Sequence, residues 1–319
     1  MKILKLRPFV ADNMWGGTRL RDEFDIQSDK EKLAEAWILS CHPDGEDMIE
    51  GGEFDGRTLS DVLQNEGRSY LGSKCEGLDY FPILIKLIDA HDDLSVQVHP
   101  GDEYALKNEN QLGKTECWYI LDAEEGAEII YGLKDRMTRD ELRAVIEEDR
   151  ILECVNHVKV KPGDLYFIPS GTLHAICSGI LLAEVQQNSN VTYRVFDYNR
   201  KVNGEFRKLH KAQAGDVISL EPVNTDGKPQ GETVDHGTWA ETLLVSCSLF
   251  STSLLDVKES TTVFADQSSF VSLVALDGNG VIEHDDTVIT FYKGESVFVP
   301  AGLGEVRILG AVKVLETHC

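Results

Sequence analysis

Positive charge, long apolar runs and paired cysteine motifs are what this 319-residue chain has least of. Its 31 basic residues face 55 acidic ones, and the formal net charge of -24 opposes binding to nucleic acid or to anionic membranes. The seven cysteines, Cys41, Cys75, Cys117, Cys154, Cys177, Cys247 and Cys319, form no Cys-x-x-Cys pair and are odd in number. Free thiols in a reducing compartment fit that pattern better than a disulfide framework. No apolar run approaches the roughly 18 residues that a bilayer-spanning helix needs. The opening MKILKLRPFVADNMW has an apolar stretch too short for a signal peptide, and Arg7 interrupts it. The expected location is the cytoplasm.

What is present is a length and an apolar content, 42%, sufficient for two domains or one large one. The most informative stretch runs from Lys161 to Ile176, KPGDLYFIPSGTLHAI. Gly163 and Asp164 open a turn, residues 165–168 are an apolar run of strand length, and Pro169, Ser170 and Gly171 break it. Proline fixes φ and glycine accepts φ > 0, so the chain turns tightly and re-enters a strand with His174 near its start.

Upstream, residues 94–100 (LSVQVHP) alternate, so Gln97 and His99 share one strand face with Ser95, while Val96 and Val98 share the other. In GKTECWYI, Glu116 heads another strand, and Lys114 projects to the same side. Gln97, His99, Glu116 and His174 make a mixed nitrogen and oxygen set suited to one divalent metal, with zinc favoured by two imidazoles and a carboxylate. The other seven histidines, His42, His91, His157, His210, His236, His284 and His318, lack partners at ligand spacing and read as surface or packing residues.

Gly163, Pro169, Gly171 and His174 resemble the second cupin motif. Together with LSVQVHP, GKTECWYI, QQNSNVTYRVFDYNR, Trp15-Gly16-Gly17 and residues 35–43 (EAWILSCHP), they make the chain similar to type I mannose-6-phosphate isomerases of the compact bacterial kind, up to about Leu209. The resemblance implies an isomerase acting on a sugar phosphate, with one divalent ion, zinc. It makes Glu116 the carboxylate ligand and Arg194 the active-site arginine, and it makes Ser95 and Lys114 substrate contacts. Glu184 is also a candidate substrate contact, and Glu184 and Asp197 are candidate proton-transfer groups, with a zinc-bound water or a histidine equally open as the base. Gln97 matches the ligand of longer relatives, whereas compact ones often carry lysine there, so three or four protein ligands are expected. The implied reaction interconverts mannose 6-phosphate and fructose 6-phosphate through a cis-enediol. A metal-dependent dioxygenase and a non-catalytic sugar-binding cupin are the competing readings. Ligand type alone permits the first.

The expected fold is mainly β with some helices: two cupin-like jelly-roll barrels, the first with helical insertions. Thr58 caps one predicted helix, a short helix lies within 102–114, and Thr138 with Glu141 forms a capping box ahead of Leu142, Val145 and Ile146. Residues 81–90 read as a buried strand in which Lys86 snorkels or pairs, and 208–216 as a polar segment compatible with a helix. Residues 222–237 read as a linker, dividing a metal-binding domain, 1–240, from a C-terminal cupin-like domain, 241–319. In the second part Gly294, Pro300 and Gly302 repeat Gly163, Pro169 and Gly171 at an offset of 131. Glu305 stands where His174 would fall, so this copy is expected to lack the ligands.

Overall fold

A strand buried on both faces must be largely apolar, and that is why residues 81–90 carry no alternation. In the computed structural model, which describes residues 1–202 and 204–319, Ile83–Ala90 is buried throughout. It lies inside a six-stranded antiparallel sheet ordered Leu165–Ile168, Glu116–Ala123, Ile180–Gln187, Ile83–Ala90, Glu35–Leu39, Phe9–Ala11. One face, through Ile83, Ile85, Leu87, Cys117 and Val185, packs on Phe250, Phe270, Phe298 and Leu315 of the C-terminal part. The other, through Ile88, Trp118, Ile120 and Tyr166, meets Ile129, Tyr131 and Ile176 of a second sheet.

That second sheet has five strands, ordered Val155–Lys159, Glu128–Leu133, His174–Ile176, Val96–Val98, Tyr193–Phe196. Its outer face carries Val96, Val98, Ala175 and Val195, covered by Leu142 and Ile146 of the Arg139–Glu147 helix and by Ala214 of Lys211–Val217. Period-2 geometry then sends Gln97 and His174 inward, where they are cross-strand partners. The predicted caps hold: Thr58 accepts from the Asp61 N–H, and the Thr138–Glu141 capping box is complete. The helix within 102–114 is Asp102–Glu109.

The third sheet has ten strands and reaches back across residue 240. Leu4–Arg7 pairs with Ser296–Val299 on one side and with Met48–Glu50 on the other, so two N-terminal strands extend the C-terminal sheet. Residues 222–237 are not a free tether. Gly227 O accepts from the Leu165 N–H, the N–H groups of Gln230 and Gly231 donate to Leu244 and Leu243 carbonyls, and Val234–Asp235 pairs with Trp239–Ser246. The sequence echo has a conformational counterpart: φ is 90° at both Gly163 and Gly294, 88° at Gly171 and 77° at Gly302. The fold is mainly β, as expected.

Candidate metal centre and active site

Inward-facing residues of the five- and six-stranded sheets meet between the two layers. His99 follows Val96–Val98, His174 opens its strand immediately after the Pro169–Gly171 turn, and Glu116 begins Glu116–Ala123 opposite them. All three are almost fully buried, at 1% exposure or less. Each imidazole is held from behind: Nδ1 of His99 lies 2.8 Å from the Val191 carbonyl, and Nδ1 of His174 lies 2.8 Å from that of Thr172.

A carbonyl can only accept, so both Nδ1 atoms carry the proton and both Nε2 atoms present lone pairs. Those lone pairs converge. The two Nε2 atoms are 3.1 Å apart, and Glu116 lies 3.5 Å from His99 and 3.4 Å from His174. Two lone pairs and a carboxylate, buried together, call for a cation between them. In the structure the Lys114 ammonium supplies positive charge at the edge of this group, 3.2 Å from His99 Nε2, in close contact with Glu116 and 3.0 Å from Glu184 Oε1. Among the described residues, His99, Glu116 and His174 are the one group of three or more His, Cys, Asp or Glu side chains with converging ligand atoms, within 4.8 Å of one another. The donor chemistry fits a single divalent ion of zinc's preference.

Burial sets the protonation pattern. It drives both imidazoles down, His174 to about 4, so they are neutral ligands at physiological pH. Burial and then the Glu184 carboxylate push Glu116 up to about 8. For Lys114 burial acts in the opposite sense, but Glu116 and Glu184 outweigh it and keep the amine protonated.

Above the cluster opens a cavity of about 480 Å³ lined by Ser95, Gln97, Lys114, Glu184 and Arg194, with Trp15, Trp37 and Trp118 among its apolar walls. Ser95 Oγ lies 3.3 Å from Gln97 Oε1. Arg194 donates from Nε to Ser95 Oγ at 3.3 Å and from Nη1 to the Lys208 carbonyl at 3.0 Å. No carboxylate lies within ion-pair distance of it among the described residues. Burial and then Arg207 lower its pKa, against the opposing pull of the more distant Asp197 carboxylate. Asp197, by contrast, is gripped by Arg200 at 2.6 Å and by Arg207, and these hold its pKa below the usual range despite burial.

Ser95, Gln97, Lys114, Glu184 and Arg194 line one cavity beside the His99, Glu116 and His174 cluster, whereas Asp197 does not line it; the structure adds several further residues. Lys86 and Glu35, 3.2 Å apart, both line the cavity, as do Arg207 and His210. His210, read as a surface or packing residue, instead accepts the Arg194 backbone N–H at its Nδ1, 3.2 Å away. Lysine and glutamate inside buried strands were the available signal for the first pair; Arg207 and His210 gave none. Plain alternation would put Phe196 on the face of Thr192 and Arg194, but the strand register shifts between Arg194 and Phe196, and Phe196 packs on the outer cluster beside Tyr198.

The family model of the type I phosphomannose isomerase catalytic domain matches residues 3–144, and that of the mannose-6-phosphate isomerase cupin domain matches residues 240–319. Mannose-6-phosphate isomerase ManA of Bacillus subtilis is 39% identical over 99% of this chain and 98% of its own length. The chain belongs to the mannose-6-phosphate isomerase family. A Streptococcus mutans mannose-6-phosphate isomerase is 36% identical, again over 99% of this chain and 98% of the relative. The crystal structure of the Bacillus subtilis mannose 6-phosphate isomerase superposes with a TM-score of 0.92 at 36% identity, covering 100% of both chains. A zinc-bound mannose 6-phosphate isomerase shares the fold of this family member, with a TM-score of 0.79 at 17% identity over 100% of this chain and 99% of that one.

Proposed function

We propose that this chain is a zinc-dependent aldose–ketose isomerase interconverting mannose 6-phosphate and fructose 6-phosphate through a cis-enediol. The observation that carries it is the convergence of two imidazole lone pairs and a carboxylate beneath a polar cavity whose wall holds an arginine without a counter-ion. Relatives named for this activity match the chain along nearly its whole length.

His99, Glu116 and His174 would hold the ion, with Gln97 as the fourth ligand. When bound, zinc polarises the oxygens at C1 and C2 and lowers the cost of an enediolate. The remaining work belongs to the chain. Glu184, whose Oε1 accepts from Lys114, is suited to move the proton between C2 and C1. Lys114 and Arg194 place positive charge where oxyanion and phosphate charge must sit, and Ser95 steadies the guanidinium. Asp197 fits a structural role, because two arginines already occupy it.

The same reading divides the chain into a catalytic part, 1–240, and a C-terminal cupin-like part, 241–319, each a jelly-roll barrel, the first with helical insertions. The two family models support that division, since the second match begins at residue 240. Among the described residues no helix is long and apolar enough to cross a membrane. With the acidic net charge, this supports a cytoplasmic enzyme whose partner is a small sugar phosphate rather than nucleic acid or membrane.

The test is a coupled assay with mannose 6-phosphate before and after chelation. Turnover is expected to vanish with the metal and to return with added zinc; turnover that survives complete metal removal would sink the proposal.

A further inference from the structure

Away from the cavity, two cysteines distant in sequence meet. Cys75 Sγ and Cys319 Sγ are 3.2 Å apart, and both are free thiols. That is shorter than an ordinary sulfur–sulfur contact and about 1.2 Å from a bond of about 2.05 Å. The approach is imposed by the backbone on both sides. Cys75 ends the Ser73–Cys75 turn, in which the Ser73 and Lys74 N–H groups donate to the carbonyls of Gln267 and Ser268, each at 2.9 Å. Cys319 donates its own N–H to Ser269 Oγ at 2.9 Å. Residues 267–269 thus clamp both cysteines. Gly72 tightens the clamp: at φ 86° any side chain there would strike the Ser268 backbone at 2.5 Å.

The pair is also reachable. Cys75 is buried, but Cys319 is half-buried and lines a groove of about 470 Å³ together with Leu78, Tyr80 and the thiol-bearing Cys247. Lys74 Nζ lies 2.6 Å from the Cys319 carbonyl, which places a cation beside the thiols. The Cys319 thiol, and then Lys74 against the effect of burial, favours the thiolate at Cys75.

We propose that Cys75 and Cys319 form a redox-responsive staple, closed by exchange with a small-molecule disulfide and opened by thiols. With its proton drawn off by the neighbouring Cys75 thiolate, the half-buried Cys319 sulfur attacks one sulfur of the disulfide RSSR, forming a mixed disulfide and expelling RS−, which takes that proton back from Cys75 and leaves as RSH. The Cys75 thiolate then attacks the Cys319 sulfur and releases the second RSH. The protein loses two electrons and two protons, and RSSR gains both. The bond ties the N-terminal turn to the end of Gly304–His318, a strand paired with both Ser251–Val257 and Val271–His284. It therefore constrains most of the unfolded chain while leaving the metal cluster untouched.

The test uses the full chain with its metal, incubated with oxidised glutathione and then alkylated, followed by peptide mapping without reductant and thermal melts with and without dithiothreitol. The expected product is a Cys75–Cys319 cross-link with a mass loss of about 2 Da. Its unfolding temperature should rise by roughly 5 °C or more, with isomerase turnover unchanged. Cys75→Ser and Cys319→Ser should each abolish the rise, and Cys247→Ser should keep it. Glutathione adducts without the cross-link, a Cys247–Cys319 bond in its place, or the same rise in Cys75→Ser would each overturn the proposal. Cys319→Ser, at a half-buried site, keeps the test decisive if Cys75→Ser does not fold.

Discussion

His99 and His174 turn their Nε2 atoms toward each other across 3.1 Å, each ring fixed from behind by a backbone carbonyl at 2.8 Å. Neither nitrogen can relieve the other, since both protons are spent on the carbonyls. Replacing His174 by alanine removes one of the converging donors. Metal affinity should drop by at least roughly 100-fold, and turnover should fall with it. Metal analysis of the purified variant beside the coupled assay checks this; a variant that retains one equivalent of zinc after dialysis would remove His174 from the ligand set.

Arg194 holds its charge on the cavity wall without a carboxylate partner, so its loss should be felt in catalysis and not in folding. Arg194→Ala is expected to lower turnover roughly 100- to 1000-fold with the metal content intact. Arg194→Lys should recover little, because a point ammonium cannot reproduce the two-sided hold on Ser95 and the Lys208 carbonyl. Near-normal kcat in either variant contradicts the assignment.

Gly163 and Gly294 share φ 90° but not their surroundings. A Cβ at Gly163 meets nothing within 4 Å, whereas at Gly294 it would lie 2.2 Å from the Phe24 carbonyl oxygen. Gly163→Ala should cost about 1 kcal/mol, from the left-handed backbone alone. Gly294→Ala should cost about 3 kcal/mol or more, because backbone must move as well. Urea denaturation midpoints decide it, and equal losses would show that the contact with Phe24 relaxes freely.

Burial, and then the Glu241 carboxylate, push Glu316 up to about 7 from an ordinary 4.5. The folded state therefore binds this proton more tightly than the unfolded chain does. Its contribution is fully present below about pH 4.5 and fades as pH rises through about 7. Glu316→Gln mimics the protonated form, so it should match the parent near pH 4.5 and exceed it at pH 8 by on the order of 3 kcal/mol. Stability curves at the two pH values test this; a difference independent of pH would show that Glu316 titrates normally.

Much of the site was legible because its residues lie on strands, where alternation assigns the face. Gln97 with Val96 and Val98, Glu116 with Lys114, and His174 after a Pro–Gly turn each declared an inward direction from local sequence. Arg207 and His210 did not. Both follow the last strand of the five-stranded sheet, and their place on the cavity wall depends on how the chain folds back after Asp197, held there by Arg200. The register shift at Arg194 was invisible for a similar reason, since an extra residue in a strand leaves the apolar pattern almost intact.

Local sequence determined the elements themselves: which runs are strands, where Thr58 and Thr138 cap helices, and that the 163–171 turn recurs at 294–302 in the same backbone conformation. These are short-range choices, settled by φ limits, capping and period. Tertiary structure alone decided that Leu4–Arg7 and Met48–Glu50 would extend the C-terminal sheet, that Lys114 would reach both Glu116 and Glu184, and that Cys75 would meet Cys319. Pairing across such separations is chosen by which apolar faces can be buried together, and that is a property of the whole chain rather than of any segment.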